Sequence, residues 1–224
     1  MALSTCPRTS EVFRLLLDLL YPPKCPFCGR ILERDEDGLC ILCQHDLPWT
    51  DEGGKAVEHC DACLSPLWYS GKVPDGIRRY KFSGGRVHAG VFGSLMAQCL
   101  LDRHAQPVDL ITWTPLHPKR KRERGYDQAE LLARRIGDLT GLPVVPALEK
   151  VRSTRVQSQL RADAARCANV HGAYRALPES DLSGKRVLLV DDVTTSGATL
   201  SECAAALRRA GAASVTALTL ARAR

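Results

Sequence analysis

The stretch "RVLLVDDVTTSGATL", residues 186–200, decides the fold. Val187-Leu188-Leu189-Val190 is a short, continuous, partly β-branched apolar run opened by Gly184 and Lys185, which predicts a fully buried strand. Asp191 and Asp192 fall at its carboxyl end, the rim where open α/β sheets bind ligands. Thr194, Thr195, Ser196, Gly197, Ala198 and Thr199 follow as a hydroxyl-rich turn. Leu200, Cys203, Ala204 and Leu207 then recur at helical spacing, with Gly211 as the expected C-cap. The order is strand, acidic turn, hydroxyl-rich loop, helix N-terminus.

That order carries a chemistry. A helix N-terminus with free N–H groups, a positive dipole end and several hydroxyls suits a phosphate. Carboxylates one step earlier would repel the phosphate, so they must serve another group. Two acids accept hydrogen bonds from the vicinal hydroxyls of a sugar and favour a divalent metal nearby. The ligand so described is a ribose 5-phosphate. The plainer alternative is an N-capped helix after a strand with solvated acids, but a cap uses one hydroxyl and leaves the Asp pair unexplained. Neither GxGxxG nor GxxxxGK[ST] occurs in the stretch. A two-component receiver fold also carries an acidic pair, but it would need more chain after it than residues 193–224.

Residues 187–199 resemble the motif of type I phosphoribosyltransferases that binds 5-phosphoribosyl-1-pyrophosphate (PRPP): four apolar residues, two acids and a Thr/Ser-Gly phosphate loop. The resemblance implies that Asp191 and Asp192 are catalytic and bind the ribose hydroxyls. It implies also that Thr194 to Thr199 hold the 5-phosphate.

Length and composition fit this class. The 224 residues suffice for a full domain and a small second module. Hydrophobic content of 45% with 25% charged residues is ordinary for a globular chain, and the net charge of +6 is modest. Residues 10–20, "SEVFRLLLDLL", are too short and too charged for a membrane span and read as an amphipathic helix ending before Tyr21-Pro22-Pro23. No membrane insertion and a cytoplasmic location are expected.

Six of the ten cysteines fall in three C-x-x-C pairs, which points to metal rather than secretion. Cys25/Cys28 and Cys40/Cys43 are two knuckles flanking the acidic segment "ERDEDG", a spacing that makes the tetrahedral four-thiolate site preferred by Zn2+. A redox pair is the alternative, but it should sit in a βαβ pattern and these lie in loop-rich sequence. The third pair, Cys60/Cys63, lacks a partner knuckle; it could share a site, with His45 or His59 nearby, or bind a second metal incompletely. Cys99, Cys167 and Cys203 lie on helical patterns and read as core or inert thiols.

From residue 76 strand, loop and helix alternate, predicting a parallel sheet flanked by helices. "VDLITW" (108–113) is a strand, "TPLHPKRKRERGYDQ" a loop, and Ala129, Leu132, Ala133, Ile136 and Leu139 one helix face stopped by Gly141 and Pro143. "SVTALTL" is a last strand. The expected domains are an N-terminal helix (1–24), a Cys-rich module (25–70) and a phosphoribosyltransferase-like domain (71–224). Residues 119–124 carry five Lys/Arg against one Glu, net +4. This could be a solvated charge run. Its place after a strand end instead puts it on the rim beside Asp191, where a pyrophosphate would need positive charge.

That loop also resembles the one in the ComF/GntX-like branch of phosphoribosyltransferases: Pro-Leu-His-Pro, basic residues, then Arg-Gly-aromatic-Asn-Gln. Asp127 replaces the more usual Asn. Residues 152–174 fit the same branch, with Arg152, Thr154, Gln157 or Gln159, and Asn169 among the matches. The resemblance implies a pyrophosphate loop using Leu116, His117, Lys119 and Arg120, and a closing loop with Arg152 and Gln159 that excludes water. Displacement of pyrophosphate from PRPP, with Mg2+ on the ribose and pyrophosphate oxygens, is the implied reaction; the acceptor is not identified. This branch usually carries four C-x-x-C pairs against three here, which implies one metal site. The rival reading also comes from resemblance. A ComFC-type competence protein would keep the PRPP site for binding, associate with DNA-uptake machinery, and contact single-stranded DNA through its basic loops.

Overall fold

Val187–Val190 lie at the centre of a parallel sheet, with each of the four residues 1% exposed or less. The computed structural model describes residues 21–51, 53–82, 85–104, 106–154 and 168–224; the expected helix over 10–20, Cys167 and Gln159 lie outside them. In chain order the elements begin with helix α1 (Ile41–Asp46), strands β1 (Ala62–Leu64) and β2 (Leu67–Trp68), helices α2 (Val73–Phe82) and α3 (Ala89–Arg103) and strand β3 (Leu110–Trp113). Helices α4 (Pro118–Arg124) and α5 (Gln128–Thr140), strands β4 (Leu148–Lys150), β5 (Tyr174–Ala176) and β6 (Arg186–Thr194), helix α6 (Ala198–Arg209) and strand β7 (Ser214–Arg222) follow. The sheet order is β1-β7-β6-β3, all parallel, with β2 also paired to β7. Antiparallel β4 and β5 form a separate pair. Among the described residues no helix is long and apolar enough to cross a membrane.

Strand alternation divides the core into two layers. Leu188, Val190, Leu218 and Leu220 pack with α2, α3, α5 and the cysteine module. Val187, Leu189, Val215 and Ala217 pack with α6 and the β4–β5 pair.

Three local expectations change. The strand at 187–190 runs on to Thr194, so Asp191 and Asp192 lie within it rather than in a turn. β7 continues alongside, pairing Asp191 with Thr219 and Thr194 with Arg222, whereas β3 ends opposite Val190. From Asp191 onward β6 is therefore paired on one side only, and the other side faces the rim. Second, the expected loop 114–128 contains helix α4, with Pro118 in its first turn, His117 as N-cap and left-handed Gly125 (φ 81°) ending it. Lys and Arg are good helix formers, but with no buried residue in α4 there is no apolar period to reveal it. Third, Val73, Ile77 and Tyr80 form the buried stripe of α2, where no helix was expected. Strands β1 and β2, inside the span assigned to the Cys-rich module, belong to the main sheet.

Candidate functional site at the end of the central strand

Asp191 and Asp192 are adjacent on β6 and so project to opposite faces of the sheet. They are 9% and 4% exposed, and Asp192 N–H donates to Asp191 Oδ1 at 2.8 Å. Burial pushes Asp191 up to about 7, the Asp192 charge adds to this, and the Asp192 N–H and Thr114 hydroxyl oppose it. On the opposite face Lys81, from the end of α2, lies 2.9 Å from Asp192 Oδ2. The contact is one of charge, not aligned as a hydrogen bond, since Oδ2 is otherwise without a partner. Two adjacent buried carboxylates at a strand end offer hard oxygen acceptors to sugar hydroxyls or a divalent cation.

Past β6 the chain turns into α6 through residues 194–197. Thr194 is 2% exposed, and its Oγ1 has no partner among the described residues. Gly197 takes φ 82°, a left-handed conformation that opens the first turn of α6, and as N-cap it has no side chain to cap the turn. Ser196 Oγ accepts weakly from Ala198 N–H at 3.4 Å. Asp191, Val193 and residues 194–200 line one cleft, so the turn and the first acid share a wall.

The strand end of β3 reaches the same rim. Asp127, the N-cap of α5, is buried and accepts three N–H groups: Ala129 (3.1 Å) and Glu130 (3.4 Å) on Oδ1, and Leu116 (2.8 Å) on Oδ2. All three partners are donors, so the position needs no amide donor and a carboxylate serves it. Burial raises the Asp127 carboxyl, and the Leu116 and Glu130 N–H groups pull it back. Asp127→Ala is expected to cost about 2–3 kcal/mol in urea unfolding, with Asp127→Asn costing less than half of that. An Ala variant as stable as the parent would rule out this role. The Leu116 amide is thus engaged by Asp127, and Lys119 N–H by His117 Nδ1 at 3.3 Å. Lys119, Lys121 and Arg122 are exposed on α4. Arg120 donates to Thr154 O at 2.9 Å, tying α4 to the start of the 152–174 segment. Arg152 donates to Asn169 O (3.1 Å) and His171 O (2.6 Å), bridging the two ends of that segment.

Below the rim, on the Asp191 face, Lys150 donates to Tyr174 Oη at 2.8 Å. Burial lowers the Lys150 ammonium to about 8, with the charges of Cys203 and Asp191 acting the other way. Neither Lys150 nor Lys81 carries a sequence signal that marks it as part of the site.

The four sulfur atoms of Cys25, Cys28, Cys40 and Cys43 lie within 4.8 Å of one another. Thiolates ~2.3 Å from a tetrahedral zinc are ~3.8 Å apart, so the donor set fits that ion. Left-handed Gly29 (φ 79°) turns the first knuckle. Cys40 caps α1 and accepts Cys43 N–H at 3.4 Å. Burial raises the Cys40 thiol, but Cys43 N–H and the surrounding thiols outweigh it and bring it down to about 7, favouring the thiolate. Cys60 and Cys63 lie apart from this cluster, Cys63 on β1 beside β7. Burial pushes these two up to about 12 and about 11, so they stand as neutral thiols; His45 and His59 join no ligand group among the described residues. The knuckle grips α2 directly: Arg79 donates to Pro26 O at 3.2 Å and to Phe27 O, and a Cβ on Gly76 would come within 3.0 Å of Pro26 O.

Comparison with known proteins agrees with both parts. A phosphoribosyl transferase domain model matches residues 123–224, and a double zinc ribbon domain model matches residues 16–75. The chain is 29% identical to competence protein F of Haemophilus influenzae, covering 89% of this chain and 97% of that one. It is 29% identical to DNA utilization protein YhgH of Salmonella typhi, covering 94% and 95%. The figures for competence protein ComFC of Streptococcus pneumoniae are 29%, 88% and 80%.

Proposed function

We propose, from the double zinc ribbon and phosphoribosyl transferase domain models that this chain matches and from its competence-protein relatives, that it binds PRPP and displaces pyrophosphate from it. The observation that carries the reading is the β6–α6 turn, where two buried carboxylates precede a helix N-terminus opened by glycine, and Asp191 shares one cleft with that turn. Asp191 and Asp192 accept hydrogen bonds from the ribose hydroxyls. Residues Thr194 to Thr199 present hydroxyl and N–H groups to the 5-phosphate. The side chains of His117, Lys119 and Arg120 meet the pyrophosphate, the Leu116 amide being taken by Asp127, and Arg152 lies at the start of the segment beside them. The C1–O bond to pyrophosphate breaks as a bond from C1 to the acceptor forms, and positioning and charge do most of the catalysis. The Asp191 carboxylate in the cleft offers the hard oxygen donor that a magnesium ion takes, and such an ion when bound would neutralise charge on the departing group.

Calorimetric titration of magnesium and PRPP into the zinc-loaded protein tests this. Binding is expected in the parent and should be lost, by more than ~100-fold, in Asp191→Asn/Asp192→Asn. A parent that fails to bind would sink the reading.

A second reading has its own support in the exposed Lys119, Lys121 and Arg122 of α4 and in the competence and DNA-utilization names of the relatives. On it the basic rim contacts the phosphates of single-stranded DNA. Salt-dependent DNA binding that falls on changing Arg120, Lys121 and Arg122 supports it, and it is compatible with PRPP binding.

A further inference from the structure

Between the cysteine module and β1, residues 54–57 lie across the 194–197 turn and hold it at two points. A Cβ on Gly54 would come within 3.1 Å of Cys63 O, so glycine permits the close approach of this segment to β1. Lys55 N–H then donates to Cys63 O at 3.0 Å, which fixes the Lys55 backbone against the sheet. From that base the Lys55 ammonium donates to Thr195 O, and to Ala223 O at 3.4 Å. Two residues on, Val57 lies where a Cβ on Gly197 would meet its Cγ2 at 3.1 Å.

A planar trans peptide puts its C=O and N–H on opposite sides. With Thr195 C=O turned outward onto Lys55, the N–H of Ser196 is directed away from Lys55. Ser196 lines the cleft shared with Asp191, and Lys55 does not. A cation on the carbonyl also polarises the peptide, making that N–H a stronger donor to an anion.

We propose that Lys55 is a positioning residue for the 5-phosphate: it pins the 195–196 peptide so that the turn presents its N–H to the phosphate, without touching the ligand. The inference rests on the PRPP reading above and assigns to the linker before β1 a part in discriminating ligands that carry a 5-phosphate from those that lack one.

The test compares the full zinc-loaded chain with Lys55→Met and Lys55→Arg, titrated with three probes: magnesium-PRPP, ribose 5-phosphate and magnesium-pyrophosphate. Lys55→Met should weaken PRPP and ribose 5-phosphate by ~10–100-fold while leaving pyrophosphate unchanged, since only the first two use the turn. Lys55→Arg should recover most of the loss. Unchanged pyrophosphate binding also reports that the variant is folded. Equal weakening of all three probes, or of none, overturns the role of Lys55 while leaving the PRPP site standing. A parent that binds none of the three overturns both.

Discussion

Cys43→Ser is expected to release the metal and lower the melting temperature by more than ~10 °C. Structural zinc in small modules contributes on the order of 10 kcal/mol at neutral pH, and each kcal/mol is ~2–4 °C in a chain of this size. Helix α1 is six residues long and buries Cys43 alone, so the metal fixes the knuckle locally while Phe27, Leu39 and Leu47 anchor the module in the core. Loss of the knuckle would also loosen α2 and α3, because Arg79 of α2 is held by the knuckle carbonyls and Phe27 packs on Phe92 of α3 at 5.2 Å. Metal analysis should find one zinc per chain in the parent and none in Cys43→Ser. Cys60→Ala/Cys63→Ala should keep that one zinc. Two zincs per chain, or zinc lost with Cys60 and Cys63, would contradict the single four-cysteine site.

The second large effect runs against intuition: Asp191→Asn should make the ligand-free protein more stable at pH 8. The native carboxyl stands at about 7 against 3.8 when exposed, raised by burial and by Asp192. In that window the folded state holds a proton that the unfolded state has lost, so stability is greatest below it and falls as pH rises through it. Asparagine stays neutral and its oxygen can still accept Asp192 N–H. The expected gain at pH 8 is at most about 4 kcal/mol, or ~8–16 °C, shrinking to a few tenths of a kcal/mol near pH 4. Thermal melts across that range read it directly. No gain at pH 8, or the same gain at pH 4, would mean that the carboxyl is not held back from ionising. The same substitution should weaken magnesium-PRPP binding, the exchange of stability for activity expected of a buried functional charge.

The sequence made the scaffold of this site legible where burial and pattern coincide. Val187–Val190, Leu110–Trp113 and the Ala129–Ile136 stripe are buried, and their apolar spacing is a direct image of that burial, whereas Leu139, expected on the same helix face, is 45% exposed. It was less informative where structure depends on a neighbour. The extension of β6 through its acids comes from pairing with β7, and nothing in "DDVT" itself favours a strand. Helix α4 is hidden inside a charge run because it buries no side chain. Lys55 and Lys81 escape sequence reading for the same reason. Each acts on a group more than a hundred residues away, Lys55 on Thr195 and Lys81 on Asp192, and a lone lysine in a linker or a helix end carries no sign of its target. Asp127 was visible as an exception to the resemblance, but its acceptor role needed the positions of three N–H groups.

Strand β1 lies beside β7, and the Ser65–Thr219 hydroxyl contact at 2.7 Å closes a separation of 154 residues. During synthesis the first strand of the sheet therefore emerges long before the strand it pairs with exists. At ribosomal rates of about 5–20 residues per second, it waits roughly 8–30 s as an unpaired apolar edge. The zinc knuckles need no such partner and can close as soon as they leave the ribosome. Metal capture thus comes early in the birth of the molecule, while the sheet edge is completed only when the last strand arrives.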